Sequence, residues 1–101
     1  MELKPGVDPT GVQGELLLAL IVAERIIERM AGAKLIITSL RDGQHSAGSL
    51  HYQGKAADVR TRDIEEKLRA PVAEEIARML GAKYDVVLEG DHLHIEFDPK
   101  P

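Results

Sequence analysis

Near the end of the chain, His92, His94 and Glu96 alternate with Leu93, Ile95 and Phe97. Successive side chains of a strand point to opposite faces, so this run places an apolar set on one face and two imidazoles with a carboxylate on the other. A strand of this kind belongs to a sheet with one face on a core. The other face is then available for chemistry.

The rest of the chain must supply the cover, and its size limits how. With 101 residues, one domain with a single modest core is expected across residues 1–101. Hydrophobic residues make up 44% and charged residues 30%, an ordinary globular balance. Two tyrosines and one phenylalanine are the only aromatics, so the core must be built of Leu, Ile, Val and Ala. A net charge of −4 and a pI near 5.5 argue against a nucleic-acid partner, which calls for clustered Lys and Arg. With no cysteine, any metal has to be held by His, Asp or Glu. The N-terminus lacks the basic and apolar pattern of a signal peptide, and the apolar run Leu16 to Ala23 is too short to span a bilayer. A chain that is cytoplasmic as synthesised is the expectation; composition leaves the oligomeric state open.

Residues 1–10, with two prolines and a glycine, read as an extended lead-in in which Asp8-Pro9-Thr10 offers helix-start chemistry. Apolar residues Leu16, Leu17, Leu20, Ile21, Ile27 and Met30 recur at helical spacing, predicting a helix from about Val12 to Met30 that stops at Gly32. Leu35 to Thr38 is β-branched and suits a buried strand ending at Ser39-Leu40-Arg41. Residues 42–50 form a turn-rich loop whose His45 and Ser46 are expected to be plain polar groups. Ala56 to Arg60 is a second strand, with Ala57 and Val59 inward and Asp58 outward. Asp63 can cap a turn through Leu68, and Pro71 suits the first position of a second helix running to Leu80 before Gly81. Tyr84–Leu88 and Leu93–Phe97, joined by Glu89-Gly90-Asp91, form a hairpin. The expected class is α+β: two main helices and a small antiparallel sheet.

His51, Asp58 and His94 make a set of two imidazoles and one carboxylate, the donor chemistry of a catalytic zinc with one position left for water. Such an ion lowers the pKa of its water from about 15.7 toward 7, roughly 12 kcal/mol in favour of hydroxide. A proton acceptor is also needed. Asp91, three residues before His94, is the candidate, with Glu96 and Glu89 as alternatives. His92 can assist proton transfer or hydrogen-bond an oxyanion, and Arg41 can meet a substrate carbonyl or carboxylate. Tyr52 is read as a pocket wall or packing residue.

Ser49, His51, Gly54, Ala56 and Asp58 match the Ser-x-His-x-x-Gly-x-Ala-x-Asp signature of the zinc D-Ala-D-Ala carboxypeptidase family of peptidoglycan peptidases, which this chain therefore resembles. Five fixed positions coincide by chance at roughly one in a million per starting point. Asp91-His92-Leu93-His94 is similar to the family's second motif, an acidic residue three places before the last zinc-binding histidine. The His-x-His form also resembles lysostaphin-type endopeptidases and the hedgehog signalling domain. The resemblance implies a hedgehog/DD-peptidase-like fold, zinc as cofactor, His51, Asp58 and His94 as its ligands, Asp91 as the base and Arg41 as the arginine that stabilises the transition state. The family's Ser-Gly-x-Arg lead reads Ser-Leu-Arg here. The implied activity is zinc-dependent hydrolysis of peptidoglycan-type peptides carrying a D-amino acid, as a D,D-carboxypeptidase or endopeptidase, with cell-wall access by lysis or phage-associated delivery. The alternative is a zinc-stabilised, non-catalytic binding module of the same fold.

Overall fold

Helix α1 spans Gly14–Ala31 and buries Leu16, Ala19, Leu20, Ala23, Ile26 and Ile27, a stripe at steps of three and four. Leu17 and Ile21, expected on the covered face, are exposed. Ala19 and Ala23, both fully buried, take the covered face with Leu16 and Leu20 instead. The helix stops at Gly32, whose φ of 63° is left-handed and whose N–H reaches the Glu28 carbonyl. These elements belong to a computed structural model that describes residues 1–41 and 48–100. His45 and Ser46, and most of the expected loop, lie outside the described residues.

A second helix, α2, runs Glu66–Leu80 and includes Pro71, where a start at Pro71 was expected. Glu66 to Ala70 are good helix formers and carry the helix ahead of the proline. Pro71 has no N–H to offer the carbonyl four residues back, so that turn lacks one rung. Asp63 does not cap: both of its oxygens accept from Arg60, Nε at 2.7 Å and Nη2 at 3.1 Å.

Five strands form the sheet: β1 (Glu2–Leu3), β2 (Ile36–Ser39), β3 (Ala56–Arg60), β4 (Tyr84–Leu88) and β5 (His92–Phe97), in the order β1-β2-β3-β5-β4. β2, β3, β5 and β4 pair antiparallel in that order, but β1 pairs parallel with β2, so the sheet is mixed. The edge strand comes out of the segment expected only as a lead-in. It is held by the Glu2 N–H on the Leu35 carbonyl at 3.0 Å and the Lys4 N–H on the Ile37 carbonyl at 2.8 Å.

Both helices contribute to one cluster with Ile37, Ala57, Val59, Leu93 and Ile95, so they cover a single face of the sheet. Leu93 and Ile95 are essentially solvent-free, and burying each contributes about 2 kcal/mol. The opposite face presents three cross-strand pairs of β3 and β5: Ala56 with Glu96, Asp58 with His94, and Arg60 with His92. Among the described residues, no helix is long and apolar enough to cross a membrane.

Candidate metal centre

The approach to β3 is a tight run of turns from Ser49 to Lys55, with backbone bonds from Tyr52 to Ser49, Gln53 to Leu50 and Gly54 to His51. Ser49 Oγ accepts the His51 N–H at 3.2 Å, fixing the backbone that carries the imidazole. Gly54 sits at φ 72°, and a Cβ there would lie 2.0 Å from the Gly11 carbonyl oxygen. The Gly54 carbonyl in turn accepts the Gln13 N–H at 2.8 Å, joining the turn to the start of α1. Each fixed position of the signature up to this point thus has a local cause. Tyr52, by contrast, is exposed.

His51 is 3% exposed, and its Nδ1 lies 2.7 Å from the Leu40 carbonyl. A carbonyl only accepts, so Nδ1 carries a proton, and Nε2 faces Asp58 Oδ1, 3.4 Å away. His94 is held in the same way from the other side. Its Nε2 lies 2.8 Å from Glu96 Oε1, and its Nδ1 lies 3.0 Å from Asp58 Oδ1. The Leu40 carbonyl follows the irregular register between Ile37 and Ser39, a place where bulges commonly re-aim the chain beside a site.

Ligand atoms of His51, Asp58 and His94 therefore lie within 4.8 Å of one another, and this trio could hold a metal ion. Two imidazole nitrogens facing one carboxylate oxygen need a positive charge between them, carried by protons on the rings or by a cation. The separations of 3.0 and 3.4 Å are near the ~3.3 Å edge of a tetrahedron with ligands about 2.0–2.1 Å from its centre. The donor set fits a borderline-soft divalent ion, and the second nitrogen of each imidazole already has the oriented partner that metal-bound histidines use.

Without metal, the proton takes the central place. Burial works to raise the Asp58 pKa, but hydrogen bonds from His51 and His94 outweigh it and hold the carboxyl well below its ordinary value. The Asp58 hydrogen bond, opposed by burial and helped by Glu96, pushes the His94 pKa up to about 9.

A family model described as the Hedgehog amino-terminal signalling domain matches residues 16–97, from α1 through the last strand. The chain belongs to this family. The Hedgehog domain has a fold of the zinc-peptidase-like superfamily, so the resemblance to that wider group holds, and the family within it is the Hedgehog one.

On this Hedgehog-type domain the remaining candidate residues separate. His92 lies on the site face with Nε2 3.8 Å from Asp58 Oδ1 and 3.7 Å from Glu89 Oε1. Asp91 is on the hairpin, 97% exposed, and its Oδ1 lies 2.8 Å from His92 Nδ1. That hydrogen bond lowers the Asp91 pKa; in His92, burial is outweighed by the bond to Asp91, and the pKa is raised. Arg41 is drawn to the N-terminal segment, its Nη1 donating to the Thr10 carbonyl at 3.3 Å. Two participants escaped sequence reasoning in their actual roles. Glu96, considered there as a base, orients His94, which its two-residue spacing on one face could have signalled. The Leu40 carbonyl orients His51, and a backbone oxygen leaves no mark in side-chain patterns.

Asp85, Glu96 and Asp98 form a second acidic group. Lys100 already pairs with Asp98 and, at 3.7 Å, with Asp85, and Glu96 is taken by His94.

Proposed function

We propose that this Hedgehog-type domain is a zinc-dependent peptidase acting on peptidoglycan-type peptides that carry a D-amino acid near the scissile bond. The observation that carries the reading is the paired orientation of His51 by Leu40 and of His94 by Glu96, which aims one nitrogen of each ring at Asp58. The substrate class rests on the signature formed by Ser49, His51, Gly54, Ala56 and Asp58. Zinc held by the trio supplies a Lewis acid for water and for the scissile carbonyl. The chain's own part is the proton. Asp91 accepts the Nδ1–H of His92, leaving Nε2 as the atom that faces the centre and takes the proton of the attacking water. The same nitrogen returns it to the leaving amine. Asp91 therefore acts as base through His92 and holds the ring in the needed tautomer.

Purified chain reconstituted with zinc should bind about one ion, and mass spectrometry of a muropeptide digest should show a defined cut that His51→Ala abolishes. Asp91→Ala should retain the ion and lose most turnover. Unchanged turnover in Asp91→Ala and in His92→Ala would refute the proton route.

A second reading is a zinc-stabilised binding module without catalysis, favoured by the signalling-domain family that the chain matches. Zinc binding that raises the melting temperature, with no cleavage of any muropeptide, would decide for it.

A further inference from the structure

The sheet ends at β4. In the order β1-β2-β3-β5-β4 this strand is bonded on its β5 side, and among the described residues none pairs with its outer edge. The register tells which groups that edge offers. The Glu89 N–H donates to the His92 carbonyl and the Asp98 N–H to the Lys83 carbonyl, each at 2.9 Å, so Lys83, Asp85, Val87 and Glu89 turn their backbone groups toward β5. Tyr84, Val86 and Leu88 therefore turn theirs outward. The Tyr84 N–H is used within the preceding turn, donating to the Gly81 carbonyl at 3.2 Å. What remains on the edge is the Tyr84 carbonyl and both backbone groups of Val86 and Leu88.

Proteins commonly blunt such an edge with a proline, a bulge or a very short strand. β4 has none of these: it is five residues without proline, and its register with β5 is regular from Tyr84 to Leu88. Val87 and Leu88 are 47% and 38% exposed, so the edge is apolar as well as unpaired.

The sequence around Val86 specifies the strand that fits. An antiparallel copy of β4, with a two-fold axis at Val86, sets outward groups against outward groups: Val86 faces Val86 of the second copy, and Tyr84 faces Leu88. These apolar side chains meet on the helix-covered side of the sheet. On the other side Lys83 falls opposite Glu89, an ion pair that the symmetry forms twice, and Asp85 falls opposite Val87. Moving the axis to Asp85 would set Asp85 against itself. Moving it to Val87 would set Asp85 against Glu89. Like charges directly opposite are destabilising, so the charges select the Val86 axis, and the matching strand is β4 itself.

We propose that β4 is a dimerisation edge, joining two copies of this chain into one continuous sheet with the antiparallel β4 strands at its centre. Val87 pairs with His94 and Asp85 with Glu96, so the metal-facing sides of both copies merge into one surface and the interface leaves each trio uncovered. The two β5 strands lie three strand spacings apart, about 14 Å.

Sedimentation velocity of the full chain up to millimolar concentration should show the mass rising from 11.1 kDa toward twice that value. Lys83→Glu, which turns both ion pairs into repulsions, should weaken the dimer about tenfold, and adding Glu89→Lys should restore it. Amide exchange gives a second readout that follows the alternation. Val86 and Leu88 should become protected as the dimer forms, whereas Val87 is protected at every concentration. In a mixture of isotope-labelled and unlabelled chains, a nuclear Overhauser effect should connect Tyr84 of one copy to Leu88 of the other. A chain that stays monomeric at millimolar concentration would overturn the proposal, as would a dimer indifferent to Lys83→Glu or one lacking the Tyr84–Leu88 contact. A monomer whose Val86 and Leu88 amides become protected only on adding an unrelated extended peptide would assign the edge to a foreign strand and refute the second copy.

Discussion

The proton shared by Asp58 and His94 predicts opposite pH dependences for the metal-free and zinc-loaded chain. In the metal-free protein the His94 pKa rises from 6.5 to about 9. A raised folded-state pKa contributes stability that is complete below about 6.5 and is lost as pH rises through about 9. At ~1.4 kcal/mol per pH unit the whole shift is worth at most about 3 kcal/mol. For a chain of this size that corresponds to a fall in melting temperature of at most about 15 °C. His92, also raised, acts in the same direction. The depressed Asp58 pKa contributes stability above its unfolded value of 3.8 and loses it only in stronger acid, so it stays out of this window. Zinc must displace the His94 proton, so its apparent affinity should rise about tenfold per pH unit up to about 9, and be about a hundredfold weaker at pH 7 than above that point. Thermal melts followed by circular dichroism from pH 6 to 9.5, with chelator and with zinc, read both trends. A metal-free melting temperature that is flat or rises between pH 6.5 and 9, or a zinc affinity independent of pH, would refute the shared-proton account.

Three further perturbations follow from individual contacts. Gly54→Ala places a methyl against the Gly11 carbonyl at a left-handed φ, and should cost about 3 kcal/mol in urea denaturation. Thr61→Val should instead stabilise by about 1 kcal/mol, because the Thr61 hydroxyl is buried with no hydrogen-bond partner among the described residues. Glu96→Gln removes the charge behind His94, and competition with a zinc chelator should show a metal affinity about 10- to 100-fold weaker with the fold intact.

Much of the fold was legible because β3 and β5 state their faces plainly. Ala57, Val59, Leu93 and Ile95 alternate with Asp58, His92 and His94, and no other register would keep the first set covered. The start of α2 was misplaced because a proline after a polar stretch looks like a first position, whereas Glu66 to Ala70 were already helical. Strand β1 was missed because two residues carry no periodicity; its formation depends on the open edge of β2. The trio was legible from residue type and spacing. The orienting contacts were less so: Glu96 offered an alternation signal, but the Leu40 carbonyl is aimed by a strand irregularity that no side chain announces.

Core and site are two faces of the same strand pair, and that couples them. The pairs Ala57–Ile95 and Val59–Leu93 face the helices, and they fix the register that sets Asp58 against His94 and Arg60 against His92. A slip of one residue would turn the imidazoles into the core and the aliphatic side chains to water, so the buried alternation specifies the metal-facing one. His51 is the exception, because it enters from a turn outside the paired strands. Its place depends on Ser49, Gly54 and the Leu40 carbonyl, contacts with little apolar burial behind them. The metal shell therefore has a strongly specified half, Asp58 with His94, and a half set by turn geometry. Damage to that turn should first remove the third ligand while the other two remain paired.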